Sequence, residues 1–441
     1  MEPVTTPKAR QASLREHNLG LVARAVFGAE RPPSRAAIAA ATGLTRATVS
    51  TLVDQLVGAR VVRELPPEPG NVGRPAVPLV PASRTVVGLG LEVNVGYLGV
   101  RAVDLAGDTV VERIERGDFH ASDPAVVLPR LADLAREVVA GLDAEGVRVA
   151  GARLALPGLV DVRDGHLVVA PNLGWADLDP VPLLGPLRAA DDIRVRIANE
   201  ANLAGLAQLR FGWFAGDRAG DGDVLADVAE RSATEAPDLA RGGTTFVYLS
   251  VDVGVGAAVL LEGALYVGRR GWAGEIGHVA VEPDGPLCQC GARGCLEAVA
   301  GKLALLAAFG RGPSDDLDVD EIAVRAAAGD PEVTDVLERV GTFVGRALAA
   351  VVNVLDVDTL LLGGLYATLA DALHGPVVDE LRRRVPALPE RLVVAAAPVV
   401  DHAALTGGAR AVLRDVVRTP SAFVGASTTV SPADTTERAH P

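Results

Sequence analysis

Whatever fold this chain adopts must bring one histidine and three cysteines to a single point. His278 is followed by Cys288, Cys290 and Cys295, and these are the only cysteines among 441 residues. One imidazole and three thiolates make a closed tetrahedral donor set, which suits a structural zinc ion. All three cysteines fall within eight residues, downstream of a histidine, and such spacing points to a metal loop rather than to scattered thiols. Gly291 and Gly294 let the segment Cys-Gln-Cys-Gly-Ala-Arg-Gly-Cys turn back on itself. Glu275 and Glu297 flank the set, so an ion there also fixes two carboxylates.

The chain is long enough for two or three domains. Only 3% of it is aromatic against 49% apolar, so its core must be built mainly of Ala, Val and Leu. No run of about 18 uncharged apolar residues occurs, so no membrane span is expected. The start, Met1-Glu2-Pro3-Val4, lacks the apolar stretch of a secretory signal. Cysteines better explained by metal than by disulfides fit a reducing cytoplasm. Residues 1–85 carry 11 Lys/Arg against 6 Asp/Glu, while the remainder carries 31 against 50. A basic segment on an acidic body implies that only the first segment meets a polyanion.

That segment reads as a DNA-binding head, residues 1–82. Leu14, Leu19, Val22 and Val26 recur at helical spacing. Ser34 can cap a short helix over 35–41 with Ile38 inward, Gly43 supplies a turn, and Thr45 can cap a third helix from Arg46 to about Val57. Val49, Leu52, Val53 and Leu56 form its apolar stripe, and Arg46, Thr48, Ser50 and Thr51 lie near its start and outward side. This is a helix-turn-helix order, in which the start of the second helix meets base edges. Strands over 61–65 and 76–80 would complete a winged helix, with Arg74 at the tip placed for a minor groove.

From residue 86 the pattern changes to short strands (86–91, 96–103 and 109–116), a helix near 123–141 and a strand at 147–156. A similar series recurs with strands at 245–251, 256–262 and 265–267, a helix near 333–354 and a strand at 359–362. Two such series predict a duplicated α/β body with a cleft between lobes. The first lobe is expected over 83–195, completed by a C-terminal helix about 403–417. The second is expected over 196–402, with a mobile insertion at 216–243 that lacks periodicity. Residues 418–441 read as a disordered tail.

These motifs resemble the ROK family of repressors, open reading frames and sugar kinases, and more narrowly its winged-helix, xylose-repressor-like branch. The resemblance covers about 10–415. It rests on Gly-Glu-Ile-Gly-His at 274–278, the cysteine loop with Cys295-Leu296-Glu297, Leu156-Pro157-Gly158, Pro171-Asn172-Leu173-Gly174-Trp175 and Asn199-Glu200-Ala201-Asn202. It implies an actin-like, ribonuclease-H-like sugar-kinase fold. Carried over by motif, the sugar contacts would be Asn172, Asn199, Glu200, Glu275, His278 and Glu297. Carboxylates and amides suit sugar hydroxyls, which donate and accept at once, and anchoring beside a metal loop lowers the ordering cost of binding.

The resemblance also implies where catalysis is lost. Kinase members carry Asp-x-Gly-x-Thr on the first hairpin, and here the stretch is Glu92-Val93-Asn94-Val95-Gly96-Tyr97. Their second-lobe Gly-Thr-Gly-x-Gly loop reads Asp252-Val253-Gly254-Val255-Gly256, which sets a carboxylate where a phosphate would approach. Glu200 replaces the catalytic aspartate, and a displacement of about 1 Å can cost about a hundredfold in rate. No enzyme activity is therefore expected. The implied protein is a sugar-responsive repressor, a homodimer or homotetramer, released from operator DNA by a monosaccharide or derivative. An active or bifunctional ATP-dependent sugar kinase, and a DNA-binding protein with a ligand-free body, are the alternatives.

Overall fold

The computed structural model describes residues 7–67, 76–188, 193–209, 244–313, 315–386, 388 and 392–424. Arg74, the insertion expected at 216–243 and residues 425–441 of the expected tail lie outside these. The chain divides into two compact units. One is drawn from within residues 1–86, 104–108 and 413–441, the other from 87–103 and 109–412.

The first unit opens with helix α1 (Pro7–Phe27), which buries Leu19, Val22, Ala23 and Val26. Helices α2 (Arg35–Thr42) and α3 (Arg46–Gly58) follow, and their axes meet at 117°. The polar residues at their ends set these bounds. Ser34 Oγ accepts from the Ala37 amide, Gly43 closes α2 in the left-handed region at φ 70°, and Thr45 Oγ1 accepts from the Thr48 amide. Val49, Leu52, Val53 and Leu56 are all buried, as their spacing predicts. Arg35 ties the pair together by donating to the Ser50 carbonyl and pairing with Asp54 and Glu64.

Strands β1 (Val62–Glu64) and β2 (Leu79–Pro81) then pair antiparallel, with Arg63 opposite Val80. Both are shorter than the sequence suggests, and the second begins three residues later. Ala76-Val77-Pro78 does not pair as a strand, because proline gives the ladder no donor; the Pro78 carbonyl instead accepts from Leu65. The tail also starts later than position 418. A short helix, Ser421–Val424, belongs to this unit, and Ser421 Oγ donates to Glu16 Oε1 at 3.0 Å. Four residues are too few for a helical period to register in the sequence.

The second unit holds two five-stranded sheets of the same topology. The first contains β3 (Val86–Val93), β4 (Tyr97–Asp104), β5 (Thr109–Arg116), then helix α4 (Pro124–Ala144) and β6 (Arg148–Leu156). A small three-stranded sheet, β7 (Leu159–Asp161), β8 (His166–Ala170) and β9 (Trp175–Leu178), is followed by α5 (Val181–Leu184), β10 (Val195–Asn199) and α6 (Glu200–Ala207). The second large sheet contains β11 (Phe246–Val251), β12 (Val255–Leu261) and β13 (Ala264–Leu265). After it come α7 (Leu296–Ala300), α8 (Lys302–Ala308), α9 (Val319–Ala327), α10 (Pro331–Leu355), β14 (Thr359–Gly364), α11 (Leu365–Thr368), α12 (Ala370–Arg384), β15 (Val393–Ala396) and α13 (Ala403–Arg418).

The strand orders are β5-β4-β3-β6-β10 and β13-β12-β11-β14-β15, so each sheet is a three-strand meander extended by two strands. In the second sheet β14 and β15 run parallel to β11, and in the first β10 runs parallel to β6. Because β10 pairs with β6 through Asn199 opposite Leu156, the first lobe reaches residue 199, and a boundary at 195/196 cuts through a strand. Arg194 and Arg196 interrupt the apolar signal there, and pairing with an already formed edge supplies what the local pattern lacks.

A core of Val, Leu, Ile and Ala lies beneath each sheet. A third cluster joins them, with Ala155, Leu203, Ala204, Phe246, Tyr248, Ala258, Leu361, Ala403 and Ala404. Backbone passes backbone closely in this region. A Cβ at Gly90 would overlap the Leu405 carbonyl, one at Gly88 the Ala409 carbonyl, and one at Gly407 the Leu203 carbonyl. Residues 403–412 of α13 are thereby seated on β3 and α6.

Candidate metal knot and ligand cleft

The metal loop is assembled by short backbone bonds before any ion is considered. Val281 N donates to Gly294 O at 2.8 Å, Cys288 N to Ala292 O at 2.7 Å, and Gly291 N to Cys288 O at 2.9 Å. Gly294, at φ 65°, has no room for a side chain against the Glu282 carbonyl. Cys295 then N-caps α7, which places Glu297 in the first helical turn.

The four predicted donors converge. Their ligand atoms all lie within 4.8 Å of one another. Cys288 Sγ is 3.8 Å from His278 Nδ1, and Cys290 Sγ is 3.6 Å from Cys295 Sγ. A tetrahedron of thiolates about 2.3 Å from a zinc ion has edges of about 3.8 Å, so the spacing fits that metal. Burial pushes the Cys295 thiol up to about 12, with the neighbouring Cys290 and Cys288 adding to the rise. Three thiolates held this close need a cation among them. The structure establishes a Cys3His set that could hold a metal.

The carboxylates flanking the loop meet neighbouring elements of the body. Glu297 Oε2 accepts from the Val255 amide at 2.9 Å, at the start of β12. Just before it, the turn Asp252-Val253-Gly254 closes by Asp252 N donating to Gly254 O. A side chain at Gly254 would meet Glu297 Oε2 at 2.7 Å and lie 3.8 Å from Asn172 Nδ2. Asn172 and Glu297 therefore face the same turn. Asn172 sits in a single 3-10 turn, Pro171–Leu173, held by buried Trp175, whose Nε1 donates to the Ser122 carbonyl at 2.9 Å. Glu275 precedes the turn Ile276–His278, and its Oε2 lies 3.9 Å from His278 Nε2. Desolvation raises its pKa, opposed by His278 and reinforced by Glu297.

Asn199 and Glu200 stand at the junction of β10 and α6. Asn199 Oδ1 accepts from the Asn202 amide and Nδ2 donates to Gly158 O at 2.9 Å, so both amide atoms already serve the backbone. Glu200 is the first residue of α6. Its carboxyl pKa is raised well above the usual range by desolvation, then by the charges of Glu92 and Asp252.

Glu92 and Asp252 entered the sequence reading only within altered phosphate-loop motifs, and in the structure both lie close enough to Glu200 for their charges to raise its carboxyl pKa. Glu92 is 2% exposed and its pKa is pushed up to about 7 by desolvation and the Asp252 charge, against hydrogen bonds from Tyr97 and Asn94. Asn94 Nδ2 reaches Asp252 Oδ2 at 3.5 Å across 158 positions of sequence. No local pattern could have paired them.

In the head, Arg46 and Thr51 are exposed, while Thr48 and Ser50 are half-buried. Thr48 Oγ1 contacts Thr45 Oγ1 at 2.8 Å and Thr51 Oγ1 donates to the Ala47 carbonyl. Among the described residues no single helix is long and apolar enough to cross a membrane.

The class is thus a two-lobed, actin-like α/β protein carrying an N-terminal helix-turn-helix. Residues 223–415 match the family model described as ROK family, so the chain carries a ROK family domain. Over 331 residues it is 27% identical to the xylose repressor of Bacillus subtilis (strain 168), covering 75% of this chain and 78% of that protein. Over 407 residues it is 26% identical to the DNA-binding transcriptional repressor Mlc of Escherichia coli (strain K12), covering 90% and 93%. It is also 27% identical to the glucokinase of Thermotoga maritima, but over only 70% of this chain against 95% of that enzyme. A solved ROK family transcriptional regulator, a homolog of the E. coli Mlc protein, superposes with a TM-score of 0.72 at 24% identity over 93% of this chain and 99% of that one.

Proposed function

We propose that the chain is a sugar-responsive transcriptional repressor. Its head grips operator DNA through α3, and its cleft takes a monosaccharide or derivative whose binding weakens that grip. The observation that carries this reading is the joining, in one chain, of a capped helix-turn-helix to a body in which Glu275 and Glu297 flank the Cys3His set and Asn172 faces the Gly254 turn beside Glu297. Arg46, Thr48, Ser50, Thr51 and, on the wing, Arg74 are the proposed duplex contacts. Similarity to repressors that extends over the head supports the same reading.

The cleft residues divide the work. Asn172, Glu275 and Glu297 offer acceptors and donors to hydroxyls, and Glu200 closes the far end. Asn199 positions Glu200 by capping α6 and retains one N–H and one lone pair for a ligand. Zinc is the ion the donor set fits; bound, it would supply a fixed charge that holds the loop and leaves His278 Nε2 turned towards Glu275. The protein is proposed to work in the cytoplasm as a homodimer or homotetramer, since paired half-sites need paired recognition helices.

Selection of bound duplexes from a randomised pool by the full chain, then titration of D-xylose and D-glucose against the selected duplex at constant salt, tests the proposal. A sugar-dependent loss of duplex binding is expected; unchanged affinity with every sugar removes the switch. The kinase alternative draws on the glucokinase similarity. Against it, Asp252 sits in the loop that would receive phosphates, and its like charge opposes them. A coupled ADP assay with glucose and ATP is expected to stay at background.

A further inference from the structure

Asn94 Nδ2 reaches Asp252 Oδ2 at 3.5 Å, and the Asp252 charge is felt both by Glu92, two residues before Asn94, and by Glu200 at the head of α6. None of the three carboxylates has a Lys or Arg salt-bridge partner among the described residues. Glu92 feels the charge of Arg101, whose guanidinium already serves Glu112, Thr406 and the Asp401 carbonyl. Glu92 is 2% exposed, and although Tyr97 and Asn94 hydrogen-bond to its carboxyl, its Oε2 has no hydrogen-bond partner. An orphan carboxyl oxygen in so dry a place is costly unless something completes it.

We propose that Glu92, Glu200 and Asp252 form a subsite that takes a hydrogen-bond-donating, non-anionic substituent of the effector and rejects a phosphate ester. This deepens, and rests on, the sugar-responsive reading. A hydroxyl or an ammonium supplies the missing donor to Glu92 Oε2. A phosphoryl group would bring three acceptor oxygens and about two negative charges against carboxylates with no Lys or Arg salt-bridge partner among the described residues. The desolvated state of Glu92 and Glu200 agrees, because protonated carboxyls can both donate to and accept from a hydroxyl.

The test uses full-length, metal-loaded protein and a series that differs in one group: D-glucose, 6-amino-6-deoxy-D-glucose, 6-deoxy-D-glucose and glucose 6-phosphate, with D-xylose as a second neutral sugar. Affinity is read by calorimetry and by melting temperature. The hydroxyl and amino sugars are expected to bind more tightly than the 6-deoxy sugar, and the phosphate about a hundredfold or more weaker than glucose. Asp252→Asn, and independently Glu92→Gln should the first fail to fold, are expected to narrow the glucose to glucose 6-phosphate ratio at least tenfold. A purely structural role would leave that ratio unmoved. Glucose 6-phosphate binding as well as glucose overturns the subsite while leaving the sugar reading intact. If no sugar of either kind binds, the sugar reading itself fails and takes the subsite with it.

Discussion

The knot of Cys288, Cys290, Cys295 and His278 stands on four side chains within 18 residues, so its chemistry was legible from spacing alone. Elemental analysis of the purified chain is expected to find one metal ion per chain, and Cys295→Ala to lose it with a marked fall in melting temperature, because Cys295 is one of the four donors. Retention of metal by that variant would contradict the assignment. Glu92 was not legible in the same way. Its isolation depends on burial and on a partner 160 positions downstream, neither of which a local pattern contains. With its folded pKa raised from 4.5 to about 7, Glu92 favours the native state most below pH 4.5, and that contribution is lost as pH rises through 7. Glu92→Gln is therefore expected to melt close to the parent at pH 5 and above it by about 2–4 °C at pH 8. A variant less stable than the parent at pH 8 contradicts this sign.

Among the elements, α2 and α3 followed directly from caps and stripe, because short amphipathic helices carry their start and stop signals in adjacent residues. The first wing strand was legible to within a residue; the second began later, since Pro78 decides its edge by withholding a donor. β10 was not read as a strand, and the expected lobe boundary at 195/196 cut through it, because a strand's sheet is chosen by pairing, which sequence distance hides. α3 offers a clean division of roles. Leu56→Ala, at a fully buried position, is expected to cost about 2–5 kcal/mol and to unfold the head. Arg46→Ala, at an exposed one, should leave melting unchanged and weaken duplex binding across sequences, with a salt dependence shallower by about one ion. Circular dichroism and fluorescence anisotropy together separate the two, and an Arg46→Ala protein that binds duplex like the parent removes Arg46 from the contact surface.

For the whole molecule, four strands of each sheet were visible as two similar series, while the fifth of each, β10 and β15, was not. The proposed switch is an exchange of free energy between two ligands. A coupling of about 1–3 kcal/mol corresponds to about 5–150-fold weaker operator binding at saturating sugar, and by reciprocity sugar binds that much more weakly to the DNA complex. Measuring both legs checks the assignment, since equal factors are required. Light scattering is expected to give twice or four times 45.3 kDa for the particle that does so.

The glycines where β3, α6 and α13 cross have a consequence for drift. Positions 88, 90 and 407 lack space for even one methyl group, so the junction is closed to gradual repacking. Loops and charges in the cleft are free to wander towards new ligands while this crossing stays fixed. A fold with such a crossing can keep its chassis unchanged while the residues that meet a ligand are replaced.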